Sequence, residues 1–469
     1  MYRKALILVS GNAFGSALSL VRNLAVARIV SPEDYGIAAT FAISMSIVEM
    51  FSYLGLQQLM VVDRDADSPR FQAASQGFQV LRGMLSALLL LLIAGPYARF
   101  LGIGHVTWAF QLVALIPLMN GLQHFDQHRL KRHMNFRASV ITTAVPPLLS
   151  VLSLLPLALI FDDYRIMLYA ILVQAVAMVV VSHLVAERRY GVVFDTGLMR
   201  RAMVFGWPLL LNGILLFAVF NGEKLIVGRE LGMAALAVFS MGFTLTLTPT
   251  LVMASSLQTF FVPLLTRARD DARRFQTLGA ATVEAGLVIG VALVLATALV
   301  GGPVVHLLLG PKYDALLPIL VQLAVLQAAR VSKSGSSFVA LAKERTGNAI
   351  AGNLPRILAI PLAWVIVVRT GDILSVIWIG ILAEACGFFI GLWLSRQRAG
   401  LHTRPLMPTV ALCIAFHAVA LWDATANVPQ PDLFRQVHLG QWAVIALGIA
   451  ALASMRALIG VALRRRARE

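Results

Sequence analysis

The sequence has 469 residues, of which 59% are hydrophobic and only 13% charged, and its mean hydropathy is +0.80. A soluble domain carries about 25% charged residues, so this chain has too few polar side chains to cover a water-soluble globule of its size. The formal net charge is +16. Because the cations cluster between long apolar runs, they indicate membrane topology and argue against a nucleic-acid partner.

Apolar runs long enough to cross a bilayer follow one another along the whole chain. About 20 residues are needed, since the hydrocarbon core is about 30 Å thick and each helical residue rises about 1.5 Å. About fourteen predicted spans cover residues 5–29, 37–62, 77–101, 106–125, 138–161, 165–187, 203–228, 233–264, 278–309, 314–342, 347–369, 372–395, 406–423 and 440–463. The first run is too long for the core of a typical signal peptide, so we interpret it as a retained helix. The sequence therefore predicts an all-α polytopic membrane protein.

Lys and Arg are distributed unevenly between the segments that connect these spans. With a cytoplasmic N-terminus, 25 of the 39 fall in predicted cytoplasmic segments and 6 in predicted outer segments. This positive-inside bias predicts that both termini are cytoplasmic. The basic, amphipathic loop 126–137 is predicted to contact the anionic lipids of the inner leaflet.

A polar stretch at residues 188–202 divides the first twelve spans into two sets of six. We predict an N-terminal six-helix bundle at 1–187, a cytoplasmic linker at 188–202, a C-terminal six-helix bundle at 203–395, and two additional helices with a basic tail at 396–469. A faint self-match at an offset of 201 residues pairs Arg28 with Arg229 and Gln57 with Gln258. A parallel repeat of this kind places a substrate path between the two halves.

The first span carries a polar stripe. Residues at helical spacing share one face of this helix, and they are Asn12, Ser16, Ser19 and Asn23. Gly11 and Gly15 lie beside this stripe, and Arg22 lies on its flank. The face either packs closely on another helix through small residues, or it lines a water-filled cavity. The cavity interpretation has the support of Arg22, which needs water or an anion that packing alone does not supply.

Ionisable residues inside other spans are candidate cavity residues, because a charge in a bilayer is costly and usually faces a cavity or a partner. They are Glu49 in the second span, Glu223 and Lys224 in the seventh, Arg330 and Lys333 in the tenth, and Arg356 in the eleventh. The last three cations have only Glu384 nearby in sequence. They predict either a salt-bridge network within the second half or a cationic cavity for phosphate. Arg82 and Arg456 lie nearer span ends and are expected to extend to the membrane surface.

The sequence gives little support for an enzymatic function. It contains no P-loop and no HExxH motif, and its connecting segments are too short for a folded catalytic domain. Its two cysteines, Cys386 and Cys413, lie in apolar runs and build no CxxC site. We expect no catalytic residue, no metal site and no cofactor.

Three motifs resemble one known family, the polysaccharide transporters and O-antigen flippases of the multidrug/oligosaccharidyl-lipid/polysaccharide exporter superfamily. Residues 27–36 (ARIVSPEDYG) resemble the family's turn after the first helix. Residues 221–224 (NGEK), followed by Gly228 and Gly232, and residues 309–313 (LGPKY) resemble two later motifs, in the same order. One departure is Glu223, where the family usually has Asp.

The resemblance implies two six-helix bundles around a V-shaped central cavity lined by spans 1, 2, 7 and 8, with alternating access. It also implies a bacterial inner-membrane location, a lipid-linked saccharide as cargo, and a polysaccharide polymerase and glycosyltransferases as partners. Transport of undecaprenyl-diphosphate-linked repeat units of O-antigen or exopolysaccharide is the expected function. The alternatives are a lipid II flippase, a cation-coupled drug exporter of the same superfamily, and a membrane-embedded glycosyl- or acyltransferase.

Overall fold

The regular secondary structure is helical in the residues that the computed structural model describes, which are 2–51, 55–63, 65–345, 347–428 and 438–466. No strand occurs in these ranges. The predicted all-α class is therefore confirmed. By its internal contacts the chain divides into two compact units, Met1–Ala237 and Val238–Glu469.

The first unit holds eleven helices in the described part of the chain. They are α1 (Tyr2–Ile29), α2 (Pro32–Phe51), α3 (Leu56–Val62), α4 (Pro69–Phe100), α5 (Thr107–Val113), α6 (Leu115–Leu122), α7 (Asp126–Arg132), α8 (Arg137–Leu152), α9 (Leu154–Ala158), α10 (Arg165–Leu184) and α11 (Thr196–Glu230).

The second unit is entered through α12, whose first residues still belong to the first unit. Its helices are α12 (Gly232–Arg267), α13 (Ala272–Leu309), α14 (Leu317–Ala342), α15 (Gly347–Thr370), α16 (Ile373–Ala399), α17 (Met407–Ala426), α18 (Leu439–Ala453) and α19 (Arg456–Arg466).

Ten helical segments of the described residues are long and apolar enough to cross a membrane. The number is eleven if the pair Leu439–Ala453 and Arg456–Leu463, bent by 58°, is one span. The helices α1, α2 and α11 have 28, 20 and 35 residues and also have the length to cross at about 1.5 Å per residue. The chain is a multi-pass membrane protein, and the count of fourteen stays a prediction.

Large apolar side chains cover much of the outer surface of these helices. On α4, for example, Leu85, Leu88 and Leu92 are 58%, 53% and 68% exposed and follow helical spacing. A soluble monomer rarely exposes apolar patches of more than a few hundred Å². Such stripes fit contact with lipid tails.

Some helices begin or end at residues other than those predicted, because a capping residue or a break in the helix sets the boundary. The second predicted span, 37–62, is wrong in extent, because α2 ends at Phe51 and a separate α3 follows Gly55, whose φ is +63°. The third span begins eight residues early, at Pro69, since the Ser68 hydroxyl accepts a hydrogen bond from Phe71 N at 3.1 Å. Such a cap is invisible to a count of apolar residues.

The division into units does not fall in the 188–202 stretch, where the sequence places the linker. It falls at the start of α12, because α11 packs on α2, α3 and α4 of the first unit. Whether the six-plus-six arrangement forms the two functional halves stays a prediction.

Topology can be tested with reporter fusions. Fusions after residues 34 and 163 are expected to report the outside, and fusions after residues 133, 195 and 270 the cytoplasm, because Lys and Arg favour the cytoplasmic side. Alkaline phosphatase and green fluorescent protein activities at each position provide the measurement. A C-terminal tail that reports outside would require an odd number of spans and contradict the assignment.

Candidate functional site

The glycine face of α1 packs on α8. A Cβ at Gly11 would lie 2.9 Å from Val140 Cγ1, and a Cβ at Gly15 would lie 2.5 Å from the Thr143 carbonyl oxygen. Contacts that close leave room only for a hydrogen atom at these two positions. The helix-packing interpretation therefore holds for the glycines.

Each residue of a helix is rotated by about 100° from the one before it. The polar stripe of α1 is therefore rotated by roughly 100° from the face that holds Gly11 and Gly15. Ser16 is exposed, whereas Ser19 and Asn23 are half-buried. Ser19 donates a hydrogen bond within its own helix, to the Gly15 carbonyl at 3.1 Å. Asn12 lies in α1, and its side chain is outside the described residues. The stripe is thus separate from the packed face, and its contact with an aqueous cavity stays a prediction.

Cysteine accessibility can test the polar stripe, after Cys386 and Cys413 have been replaced. A Ser16→Cys protein is expected to react with a membrane-impermeant thiol reagent in at least one transport state, whereas Leu18→Cys is expected to react several-fold more slowly, since Leu18 points elsewhere and is half-buried. Labelling rates in intact cells provide the comparison. Equal, negligible labelling at both positions would contradict an aqueous stripe.

Arg22 joins α1 to α8 and α10 through neutral side chains. Its Nη1 donates hydrogen bonds to Gln174 Oε1 and, at 3.3 Å, to Ser150 Oγ, and its Nη2 lies 3.5 Å from Asn23 Oδ1. Ser150 in turn donates to the Ala170 carbonyl at 2.7 Å, which fixes its position. Among the described residues no carboxylate lies within ion-pair distance of Arg22. Its charge therefore stays available to an anion.

A polar cavity of about 230 Å³ lies inside the first unit, between α2, α4 and α6. Glu49 and Arg82 both line it, and Asn120 Nδ2 donates a hydrogen bond to Glu49 Oε1 at 3.3 Å. Arg82 thus lines a cavity that also holds a carboxylate, and its extension to the membrane surface stays a prediction. The amides of Gln79 and Asn120 also line the cavity, and sequence reasoning missed them because neutral amides in a span give no charge signal.

Glu223 and Lys224 are neighbours on α11, within the first unit. Glu223 is buried and Lys224 is half-buried. Their participation in substrate binding stays a prediction.

In the second unit three cations converge on one carboxylate. Glu384 on α16 is fully buried; its Oε1 lies 2.9 Å from Arg330 Nε and 3.9 Å from Arg356 Nε, and its Oε2 lies 2.7 Å from Lys333 Nζ. We call these four residues the Glu384 cluster. It joins α14, α15 and α16, and with all members ionised it carries two more positive than negative charges.

Neutral groups also contact the cluster. Lys333 Nζ also donates to Asn353 Oδ1 at 2.7 Å and to the Gly352 carbonyl at 3.3 Å. Arg330 donates to Gln327 Oε1 at 3.1 Å, and its guanidinium lies 5.4 Å from the centroid of the Phe243 ring. These contacts hold the side chains of Lys333 and Arg330 in place. The structure thus contains the contacts of the predicted salt-bridge network, and a role in binding phosphate stays a prediction.

Comparison with known proteins shows which family has this architecture. A family described as polysaccharide biosynthesis protein matches residues 25–318, which is more than half of the chain. The chain belongs to this family. The recognised resemblance is therefore confirmed, and all three motifs lie within the matched residues.

One curated relative is a transport protein of polysaccharide biosynthesis, and two solved transporters share the fold. The succinoglycan biosynthesis transport protein ExoT of Rhizobium meliloti (strain 1021) is 22% identical over 393 residues, which cover 79% of this chain and 78% of the relative. The structure of the lipid II flippase MurJ in an inward closed conformation aligns with 98% of this chain and 99% of the MurJ chain, with 12% identity and a TM-score of 0.69. The structure of an inward-facing MATE family multidrug resistance transporter aligns with 84% of this chain and 98% of its own chain, with 15% identity and a TM-score of 0.68. At these identities the two structures show the fold alone.

Two glycines of the family motifs have a structural cause. A Cβ at Gly36, in the first motif, would lie within bonding distance of the Met233 carbonyl oxygen, so only glycine permits this close approach. Gly310, in the third motif, ends α13 with a φ of +82°, which favours glycine over other residues. Gly36 thus permits a close contact between two backbones, and Gly310 ends a helix.

Proposed function

We propose that this protein is a flippase that moves undecaprenyl-diphosphate-linked oligosaccharide repeat units, of O-antigen or exopolysaccharide, from the cytoplasmic to the periplasmic leaflet by alternating access. It acts in the bacterial inner membrane with both termini in the cytoplasm. Its partners are the lipid-linked saccharide and, in the same pathway, glycosyltransferases and a polysaccharide polymerase.

The observation that carries this proposal is uncompensated positive charge at membrane depth. Arg22 donates hydrogen bonds to neutral acceptors, and no carboxylate of the described residues lies within ion-pair distance of it. A buried cation without a counter-charge is costly, and an anionic cargo supplies that charge when it binds. A guanidinium also matches phosphate geometry with two parallel hydrogen bonds.

Charge also argues against the drug-exporter alternative. A cationic drug needs carboxylates in its binding cavity, whereas α1, residues 2–29, contains Arg22 and amides but no Asp or Glu. A transferase needs a catalytic acid or histidine near a membrane surface, usually on a sizeable loop, and the connecting segments are short. The family is described as polysaccharide biosynthesis protein, and one relative is named a transport protein, which supports a transporter over a transferase.

Depletion of the protein in its native host tests the function. Surface polysaccharide is expected to disappear, while lipid-linked repeat units accumulate and stay inaccessible to a periplasmic glycosidase. Quantification of surface glycan and of glycosidase-resistant lipid-linked saccharide provides the measurement, with restored expression as the control. Loss of peptidoglycan synthesis with normal surface polysaccharide would favour the lipid II alternative instead.

A further inference from the structure

A second cavity, with a positively charged lining, lies in the first unit, apart from the residues of the candidate site. Its volume is about 380 Å³, at the small end of the range of about 300–1,000 Å³ for small-molecule pockets. It is lined by the start of α4, the turn after α6 and the stretch that precedes α11. By the predicted topology it opens on the cytoplasmic side.

A hydrogen-bond network holds the walls of this cavity together. Asp126 is fully buried and accepts hydrogen bonds from Arg129 Nε at 2.6 Å and from the backbone N of Glu187 and Arg188 at 2.7 and 3.2 Å. Burial alone would raise the pKa of Asp126, but the hydrogen bonds from Arg129 and from the backbone hold this pKa below its usual value. On α4, Gln76 Nε2 donates to the Tyr190 hydroxyl at 3.2 Å. The cavity is therefore a fixed feature of the fold.

The basic loop 126–137 is part of this network. Arg129 pairs with Asp126, and Arg132 pairs with Asp67 at 3.3 Å. These two cations are already paired within the protein, so they are weaker candidates for the lipid contact that the sequence predicts for this loop.

Two arginines give the cavity its charge. Arg188 Nη1 donates to the neutral Gln72 Oε1 at 3.2 Å, and Arg189 is exposed. The cavity lining in the described residues includes no carboxylate. Asp126 and Asp67 pair with Arg129 and Arg132, and Asp67 also interacts electrostatically with Arg188, but neither carboxylate belongs to the lining.

His124 adds a buried hydrogen-bond donor to the same lining. Its side chain is 2% exposed, and its Nδ1 accepts a hydrogen bond from Asp126 N at 3.1 Å, which places the ring proton of the neutral form on Nε2. Burial lowers the pKa of His124, so this neutral form is the one present at pH 7. Among the described residues no acceptor meets full hydrogen-bond geometry with His124 Nε2, although a backbone hydrogen bond with Arg188 partly opposes the lowering of the His124 pKa. A buried donor that lines the same cavity as two arginines is a group to which an anion could bind.

We propose that this cavity binds a phosphate group, with Arg188 and Arg189 supplying charge and His124 Nε2 a hydrogen bond. The phosphate belongs to a lipid headgroup or to a soluble phosphorylated compound. The exposed apolar side chains of Val192 and Phe194, which directly follow the lining, favour the headgroup. The site is distinct from Arg22 and from the Glu384 cluster.

Binding of inorganic diphosphate to the purified full-length protein tests this site. Isothermal titration calorimetry is expected to show saturable binding that the variant Arg188→Gln/Arg189→Gln weakens about tenfold or more, because charge-assisted hydrogen bonds are lost. His124→Asn removes the Nε2 donor, while its Oδ1 can still accept from the N–H two residues on, and it is expected to weaken binding several-fold. Arg137→Gln removes an exposed arginine outside the cavity and is the matched control.

Phosphatidylglycerol in nanodiscs distinguishes the two phosphate sources. If diphosphate binds the wild-type protein more weakly in phosphatidylglycerol nanodiscs than in phosphatidylcholine nanodiscs, the lipid competes for the site and the ligand is a lipid headgroup. If it does not compete, the ligand is a soluble phosphate. If the wild-type protein binds neither probe, or if the control weakens binding as much as the cavity variants, the proposal is wrong. Size-exclusion profiles establish that each variant is folded, and His124→Asn decides alone if the double variant is not.

Discussion

Arg22→Ala is expected to abolish surface polysaccharide while the protein remains folded and inserted. Arg22 has only neutral hydrogen-bond acceptors, so in our proposal its charge serves the diphosphate of the cargo. Each charge-assisted hydrogen bond contributes about 1.5–3 kcal/mol, and the loss of a bidentate pair corresponds to a reduction of about 100-fold or more in binding. Arg22→Lys should restore transport partly, because the lysine ammonium keeps the positive charge but cannot donate the two parallel hydrogen bonds of a guanidinium.

The measurement is surface glycan per molecule of inserted protein. Arg456→Ala is the matched control, since Arg456 is an exposed arginine near the end of the chain and its removal should leave export unchanged. Gln174→Ala separates positioning from binding: it removes an acceptor of Arg22 on α10 but keeps the charge, so it should reduce export less than Arg22→Ala. Normal export by the Arg22→Ala protein would contradict the cationic mechanism.

Glu384→Gln is expected to lower the amount of folded, inserted protein strongly. This substitution leaves Arg330, Lys333 and Arg356 close together without their shared carboxylate. Removal of one partner of a buried ion pair costs about 3–5 kcal/mol, a large part of the total stability of about 5–15 kcal/mol of a typical protein. Protein level in the membrane and thermal unfolding in detergent provide the measurement.

A second substitution tests the physical reason. Adding Lys333→Met to Glu384→Gln removes one of the three cations and should recover part of the lost stability, which a double-mutant cycle detects as a non-additive effect. Asp162→Asn removes an exposed carboxylate and is expected to leave the level unchanged. If the Glu384→Gln protein is present at the normal level and only export is lost, the cluster binds cargo and is not a stabilising network.

The sequence by itself determined the membrane class, the approximate spans and the family. These follow from properties that are local in the chain: the length of apolar runs, the positions of Lys and Arg between them, and short motifs around glycines such as Gly36 and Gly310. Hydropathy does not determine helix ends, because a hydroxyl cap such as that of Ser68 extends a helix beyond its apolar run.

Only the tertiary structure decided which polar groups meet. Arg22 contacts Gln174 and Ser150, which are neutral and lie 152 and 128 residues away, so no pattern in the sequence connects them. Glu49 and Arg82 share a cavity that neither helix reveals alone. A long side chain in a span can turn to lipid, to a cavity or to a partner, and the rotation of each helix about its axis sets which of these occurs. That rotation is fixed by the packing of whole helices against one another.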